Sequence, residues 1–258
     1  MSSHSKSGKI VFITGATSGI GEACAHRFAG EGYDLIINGR RKDRLSALKI
    51  KLEADYKIKV LPLEFDVRDR AAVFNALSGI PAEWKSIDIL INNAGLALGR
   101  DLFDQANIDD WDTMLQTNVN GLLYVTKAVL PLMVGRNSGH IINIGSVAGK
   151  EIYERGNVYC ASKAAVEAIS KSMRIDLLPH RIKVTAIHPG AAETEFAQVR
   201  FKGDDIKASQ TYKGFVPLTP QDISDTIFYC ASLPENVCIN DLIITSLSQA
   251  DALHIHKV

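Results

Sequence analysis

The residues Thr14-Gly15-Ala16-Thr17-Ser18-Gly19-Ile20-Gly21 follow an apolar run at 10–13 and lead into a helical pattern at 22–30. The order is strand, glycine turn, helix. Glycine tolerates the backbone angles of such a turn and lets another group approach closely, while the free N–H groups and positive dipole end of the following helix attract a diphosphate. The segment therefore predicts a dinucleotide site faced by Gly15, Thr17, Ser18, Gly19, Ile20 and Gly21. Outward from it, short Ile- and Val-rich runs at 9–14, 34–38, 59–65, 87–92, 139–144, 183–188 and 239–245 alternate with longer helical patterns. That rhythm predicts an α/β fold, a doubly wound parallel sheet of about seven strands covered by helices on both faces. One domain over 9–258 accounts for it, preceded by a polar stretch at 1–8 that reads as a disordered tail. The interval 191–220 breaks the rhythm at Gly203, Gly214 and Pro217 and reads as a substrate loop.

Composition excludes several classes. Apolar residues make up 46% and charged residues 22%, which is ordinary for a globular chain and argues against disorder. Lysine plus arginine and aspartate plus glutamate each total 29, so the net charge of +0 offers no general attraction to nucleic acid or anionic lipid. No apolar stretch approaches the ~18 residues of a membrane span, and the expectation is a cytoplasmic protein acting on a small molecule. Cys24, Cys160, Cys230 and Cys238 form no CxxC pair and have no histidine at metal spacing, so they read as reduced, buried thiols with no metal site. His140, His188, His254 and His256 have neither triad nor metal context and read as satisfied or solvated side chains.

The second strand ends Asn38-Gly39-Arg40-Arg41. A dinucleotide fold that prefers NAD places a carboxylate there for the ribose 2′-hydroxyl, whereas two guanidinium groups suit a 2′-phosphate. Arg40 and Arg41 thus predict NADP as the cofactor.

Tyr159 and Lys163 lie four residues apart in the helical segment 157–178 and so share a face. A phenol titrates near ~10 in water, and a fixed positive charge beside it favours the phenolate. The pair therefore predicts a general acid/base whose Tyr159 is drawn toward the neutral range by Lys163. Ser146 follows a strand at its carboxyl end, where ligands gather in open α/β sheets, and its hydroxyl can hydrogen-bond a substrate oxygen. Asn118 falls in the helical segment 108–133, where asparagine disturbs the local ladder and can hold a water.

Taken together, the TGxxxGxG loop, Asp66, Asn92-Asn93-Ala94-Gly95, Asn118, Ser146, Tyr159, Lys163, Pro189-Gly190 and Thr194 resemble the short-chain dehydrogenase/reductase family over about 9–245. The resemblance implies a Rossmann-type fold in which Tyr159 exchanges a proton with the substrate oxygen and Ser146 positions it. It further implies that Lys163 binds the nicotinamide ribose and that Asn118 anchors a relay water. Asp66 and Val67 would face the adenine, Asn93, Ala94 and Gly95 the adenosine side, and Pro189, Gly190 and Thr194 the nicotinamide and phosphates. Homotetramers or homodimers are also implied.

A narrower similarity, carried by Asn92 to Gly99, His140 to Ser146, Thr194-Glu195-Phe196 and Val199 to Asp205, is to NADP-dependent 3-hydroxy acid dehydrogenases. Those enzymes act on serine, allo-threonine, 3-hydroxyisobutyrate, and 3-hydroxypropionate or its semialdehyde. The stretches 150–155 and 191–193 depart from that pattern beside the substrate. A substrate carboxylate needs a cation, and Arg200, Lys202 and Arg155 are the candidates, with Arg200 favoured. An ion pair of Arg200 with Asp204 or Asp205 is the competing reading. Reduction of a 3-oxoacyl thioester, a sugar or a pterin would use the same polar residues, and a sensor or scaffold that binds NADP without turnover would need no tuned phenol.

Overall fold

The computed structural model describes residues 8–258, so all but Gly8 of the tail expected at 1–8 lies outside the described residues. Seven strands, β1 (Ile10–Ile13), β2 (Asp34–Gly39), β3 (Val60–Glu64), β4 (Ile87–Asn92), β5 (Gly139–Ile144), β6 (Ile182–Pro189) and β7 (Asp241–Ile244), form one sheet in the order β3-β2-β1-β4-β5-β6-β7. Every pairing is parallel. Strand order reverses direction between β1 and β4, and in such sheets ligands bind outside the carboxyl ends of the strands at that point. The sequence-predicted α/β architecture is what the chain adopts.

Helices cover both faces. On one side α1 (Gly19–Ala29), α2 (Lys42–Tyr56) and α9 (Pro220–Ser232) pack over β1 and β2, with Phe28 meeting Tyr33 and Phe228 edge-on at 5.3 and 5.4 Å. On the other, α3 (Arg70–Ser78), α5 (Leu122–Val134) and the end of α6 (Asn157–Asp176) cover Phe12, Ile36, Leu90 and Ile141. All four residues of β1 are buried, because a strand enclosed on both faces needs a continuous apolar run rather than alternation. Each such side chain contributes about 1.5–3 kcal/mol by leaving water.

Three boundaries differ from expectation. The first helix begins at Gly19 rather than 22, and Ser18 precedes it without a side-chain cap. The last strand is shorter than 239–245, since β7 is an edge with β6 as its one partner and Ile243 is half exposed. The segment 108–133 is not one α-helix: α4 (Ile108–Leu115) and α5 are joined by a π-helical turn, Gln116–Gly121. The interval 191–220 carries two short helices, α7 (Phe196–Arg200) and α8 (Asp205–Gln210). All four cysteines are free thiols, and no helix among the described residues is long and apolar enough to cross a membrane. His140 is buried with its Nε2 2.8 Å from Thr185 Oγ1 and its Nδ1 without a hydrogen-bond partner, so the expectation of a satisfied side chain holds for one nitrogen only, while the exposed His254 meets Asp251 at 2.8 Å.

Candidate active site

A cleft of about 920 Å³ opens at the carboxyl ends of β1, β4, β5 and β6. Its wall contains nearly the whole sequence-predicted set: Gly15, Thr17, Ser18, Gly19, Ile20, Arg40, Arg41, Asp66, Val67, Asn93, Ala94, Gly95, Ser146, Tyr159, Lys163, Pro189, Gly190, Thr194 and Arg200. Gly21 and Asn118 stand behind the wall rather than in it.

The glycine turn is locked from both sides. Gly15 and Gly19 sit at φ +65° and +55°, the left-handed region that favours glycine. A Cβ on Gly21 would lie 2.3 Å from the Gly15 carbonyl oxygen and 2.6 Å from Asn93 Nδ2. Asn93 Nδ2 donates to the Thr14 and Gly15 carbonyls at 2.9 and 3.2 Å, and Thr14 Oγ1 accepts from the backbone N–H groups of Asn93 and Ala94 at 3.0 Å each. The ends of β1 and β4 are thereby joined. The first N–H groups of α1 have no intrahelical acceptor, and Ser18 supplies no side-chain cap, so this terminus offers donors to an anion. A diphosphate fits the cradle.

Both arginines reach the cleft, although neither is the free fork expected from sequence. Arg41 donates to Thr17 Oγ1 at 3.1 Å and Ser18 Oγ at 3.0 Å and pairs with Glu195 at 3.0 Å, while Arg44 holds the same carboxylate at 2.7 Å. These hydrogen bonds, that of Arg44 foremost, hold the Glu195 carboxyl below its usual range. Arg40 is largely exposed and lies 3.7 Å from Asp66. Against burial, which raises it, the hydrogen bonds from Arg68 hold the Asp66 carboxyl below its usual range. Arg40 is therefore the less committed cation, and Arg41 is preorganised beside the glycine turn. Replacing both with alanine is expected to weaken NADPH binding at least about tenfold more than NADH binding, the scale of one charge-assisted hydrogen bond. Equal losses in a fluorescence titration would remove them from the 2′-phosphate.

The candidate acid/base and hydrogen-bonding groups come from the end of β5 and from α6. Ser146 lies two residues beyond β5, and its Oγ accepts from the Ala148 N–H at 3.1 Å and lies 3.5 Å from the Pro189 carbonyl oxygen. Tyr159 and Lys163 project from α6 and are both buried. Here one expectation is overturned: the Tyr159 phenol lies above its usual range, pushed up by burial and by the neighbouring Tyr153, with Ser146 and Arg200 pulling the other way. Lys163 is not among the main influences on it: its Nζ donates to the Ile144 carbonyl at 2.9 Å, and burial brings its own pKa down to about 8. Sharing a helix face gives the ammonium no hydrogen bond to the phenol. Tyr159 is thus poised in this structure as a protonated donor.

Asn118 sits in the π-helical turn, yet its amide is occupied otherwise than expected. The Leu96 N–H donates to its Oδ1 at 2.8 Å, and its Nδ2 donates to the Leu96 carbonyl at 2.8 Å and Ser162 Oγ at 3.0 Å. The side chain clasps the loop after β4 to α6, so both amide hydrogens are used and a water there would have to donate to Oδ1 or to the main-chain carbonyl. Its role here is to fix the wall, since a Cβ on Gly95 would lie 3.2 Å from Asn118 Oδ1 and 3.4 Å from Lys163 Nζ.

The three candidate cations are placed differently. Arg200, on α7, donates to the Gly99 carbonyl at 3.2 Å and to Tyr153 Oη at 3.0 Å, and its guanidinium stands 5.6 Å from the Tyr159 ring centre. Its predicted ion pair with Asp204 or Asp205 does not form: Asp204 caps α8 and pairs with Lys207 at 3.2 Å. Lys202 is taken by Asp110 at 2.8 Å, and Arg155 is half exposed beside Glu154 at 3.6 Å. Sequence reasoning missed Tyr153, which joins Arg200 to the site, and Phe196, whose ring is 5.7 Å from that of Tyr159. It also missed Gln249, which accepts from the Ala191 N–H at 2.8 Å, and the tail residues Ala252, Leu253, Ile255 and Lys257 that line the cleft. Tyr153 carried a signal, as the aromatic in a stretch expected to border the substrate, and Phe196 stood in a segment quoted for the narrower similarity.

Residues 9–205 match the family model of the short chain dehydrogenases. The chain belongs to the short-chain dehydrogenase family. Its relatives in that family include the NADP-dependent 3-hydroxy acid dehydrogenase YdfG of Escherichia coli K12, 49% identical over 250 residues that cover 96% of this chain and 99% of the relative. The sulfoacetaldehyde reductase of Chromohalobacter salexigens is 44% identical over 93% of this chain and 94% of its own length. Among solved short-chain dehydrogenases, the closed form of serine dehydrogenase complexed with NADP+ superposes with a TM-score of 0.90 at 49% identity, covering 96% of this chain and 100% of that one.

Proposed function

We propose that the chain is an NADP-dependent oxidoreductase that interconverts a small 3-hydroxy acid with its semialdehyde or keto form. The observation that carries the substrate class is Arg200, a guanidinium held by Gly99 and Tyr153 at 5.6 Å from the Tyr159 ring in the same cleft as the glycine turn. A planar cationic fork beside an acid/base group selects a carbonyl or alcohol that carries an anion a few bonds away. The 49% identical dehydrogenase and the serine dehydrogenase bound to NADP+ support both cofactor and substrate class.

NADP, when bound, supplies or takes up the hydride. The Gly15 to Gly21 turn and the start of α1 receive its diphosphate, Arg40 and Arg41 its 2′-phosphate, Asp66, Val67 and Asn93 to Gly95 its adenosine half, and Lys163 its nicotinamide ribose. Pro189, Gly190 and Thr194 wall the nicotinamide. Ser146 Oγ and the Tyr159 hydroxyl hydrogen-bond the substrate oxygen, which stabilises the charge that develops there. In reduction Tyr159 gives its proton to that oxygen, and in oxidation it takes the proton back. Arg200 orients the substrate carboxylate.

Exchanging Arg200 for methionine is expected to raise KM for 3-hydroxypropionate about 10- to 100-fold, the loss of one charged hydrogen bond, while sparing an uncharged alcohol. Equal effects on the two would detach Arg200 from the substrate. A sulfonate is tetrahedral at sulfur but can turn two of its three oxygens to the same guanidinium, and the 44% identical sulfoacetaldehyde reductase makes sulfoacetaldehyde a second anion to assay. A 3-oxoacyl thioester, a sugar or a pterin brings no carboxylate to the half-buried guanidinium. We read the enzyme as cytoplasmic, where its four thiols stay reduced, and as a homotetramer or homodimer, because Ile108 and Leu115 on α4 and Ile175 on α6 are exposed apolar side chains.

A further inference from the structure

His188 is fully buried on β6, directly before Pro189 and Gly190, and the proposed mechanism does not use it. Its Nδ1 lies 3.3 Å from the Ser146 carbonyl oxygen, and its Nε2 lies 2.6 Å from Asp241 Oδ1 on the edge strand β7. Lys150 Nζ bonds the same Asp241 carboxylate and reaches Glu167 on α6 at 3.0 Å. Glu167 in turn pairs with Lys171. A line of polar groups therefore runs from the outer edge of the sheet to the residue that meets the substrate oxygen. None of His188, Asp241 or Lys150 lines the cleft.

The imidazole also fills the space against which Ser146 is set. A Cβ on Gly145 would fall 2.4 Å from His188 Nδ1, so the ring occupies the volume a side chain at 145 would need. The Gly145 N–H donates to the Ile187 carbonyl at 2.7 Å, and Ser146 Oγ lies 3.5 Å from the carbonyl of Pro189, the residue after His188. The ring is thus wedged between the strand ends that present Ser146 and the Pro189-Gly190 turn. Its two nitrogens face a carbonyl and a carboxylate, both acceptors only. A neutral ring has one hydrogen and can hold only one of them; a protonated ring donates to both, and the Asp241 carboxylate favours that protonated form.

We propose that His188 is a positioning residue for Ser146: clamped from behind by Asp241 and Lys150, it fixes the main chain that aims the serine hydroxyl at the substrate oxygen. The inference rests on the reading of Ser146 given above. Burial draws the imidazole pKa down and Lys150 acts the same way, while Asp241, the Ser146 carbonyl and Glu167 oppose them, so the ring responds to every member of the line.

Four variants test it, with kcat expressed per NADPH-binding site so that misfolded protein does not count. Asp241→Ala, altered from the outer edge of the sheet, is expected to lower kcat about tenfold, the scale on which sub-ångström misplacement acts, with the Kd for NADPH and the KM for 3-hydroxypropionate nearly unchanged. His188→Leu should lose as much or more. His188→Asn keeps an amide donor near the Nδ1 position and should recover most of that loss, which a purely space-filling role would not produce. Unchanged kcat in Asp241→Ala, or equal activity of the Leu and Asn variants, overturns the proposal, and Asp241→Ala alone decides if the His188 variants bind no NADPH. Ser146→Ala, measured alongside, separates the claims: if it retains full activity, the Ser146 reading falls and the positioning role with it. Loss in Ser146→Ala with full activity in Asp241→Ala overturns the positioning role alone.

Discussion

Replacing Tyr159 with phenylalanine is expected to cut kcat about 10²- to 10⁴-fold in both directions while NADPH still binds. The ring packs against Phe196 at 5.7 Å, so phenylalanine preserves the shape of the wall and removes only the hydroxyl. Direction of reaction supplies an internal check. Burial and Tyr153 hold the phenol above its usual range, so at neutral pH it is protonated and ready to donate. Reduction should therefore stay nearly flat across the neutral range. Oxidation needs the deprotonated form, whose fraction below the pKa rises about tenfold per pH unit, so alcohol turnover limited by chemistry should climb steadily with pH. A chemistry-limited oxidation rate that ignores pH would contradict a proton-accepting Tyr159.

The second large effect belongs to Gly21. Alanine there would put its Cβ 2.3 Å from the Gly15 carbonyl oxygen and 2.6 Å from Asn93 Nδ2, and neither group can yield without breaking the Asn93 bonds to Thr14 and Gly15. Overpacking of this kind costs about 1–3 kcal/mol. Because the strained atoms are those of the cradle itself, the Kd for NADPH should rise at least about tenfold, and Tm should fall by about 2–4 °C for each kcal/mol. Gly30 makes the comparison. A Cβ there meets its nearest neighbour at an ordinary 3.4 Å, so Gly30→Ala should leave NADPH binding intact. Matching affinities for the two variants would show that the close approach at Gly21 is not what shapes the site.

Which features were legible in the chain follows from their range. The strands could be read because a parallel sheet buried on both faces needs uninterrupted apolar runs, and Ile10–Ile13 is one. The glycine turn could be read because its constraints are local. The π-helical turn at Asn118 could not, since the pull on its amide comes from Leu96 and Ser162, far along the chain. The expected drop in the Tyr159 pKa failed for a related reason: helical spacing brings Lys163 to the right face, but the Ile144 carbonyl on β5 captures its ammonium and burial dominates the phenol. Arg200 was found as a cation, yet its choice between Asp204 and the cleft was settled by Gly99 and Tyr153. Residues 252–257 showed no motif at all, and only the folded chain brings them to the cleft.

The account turns on one claim, that this cleft joins NADP to an anionic 3-hydroxy or 3-oxo substrate through Tyr159 and Arg200. Its most direct test follows NADPH absorbance with malonic semialdehyde against a matched uncharged aldehyde, and NADP+ reduction with serine, allo-threonine and 3-hydroxyisobutyrate. The account predicts turnover with NADPH well above NADH and a clear preference for the acids that disappears in Arg200→Met. Tight NADPH binding without turnover across this panel, or equal use of charged and uncharged carbonyls by the unaltered enzyme, would contradict it.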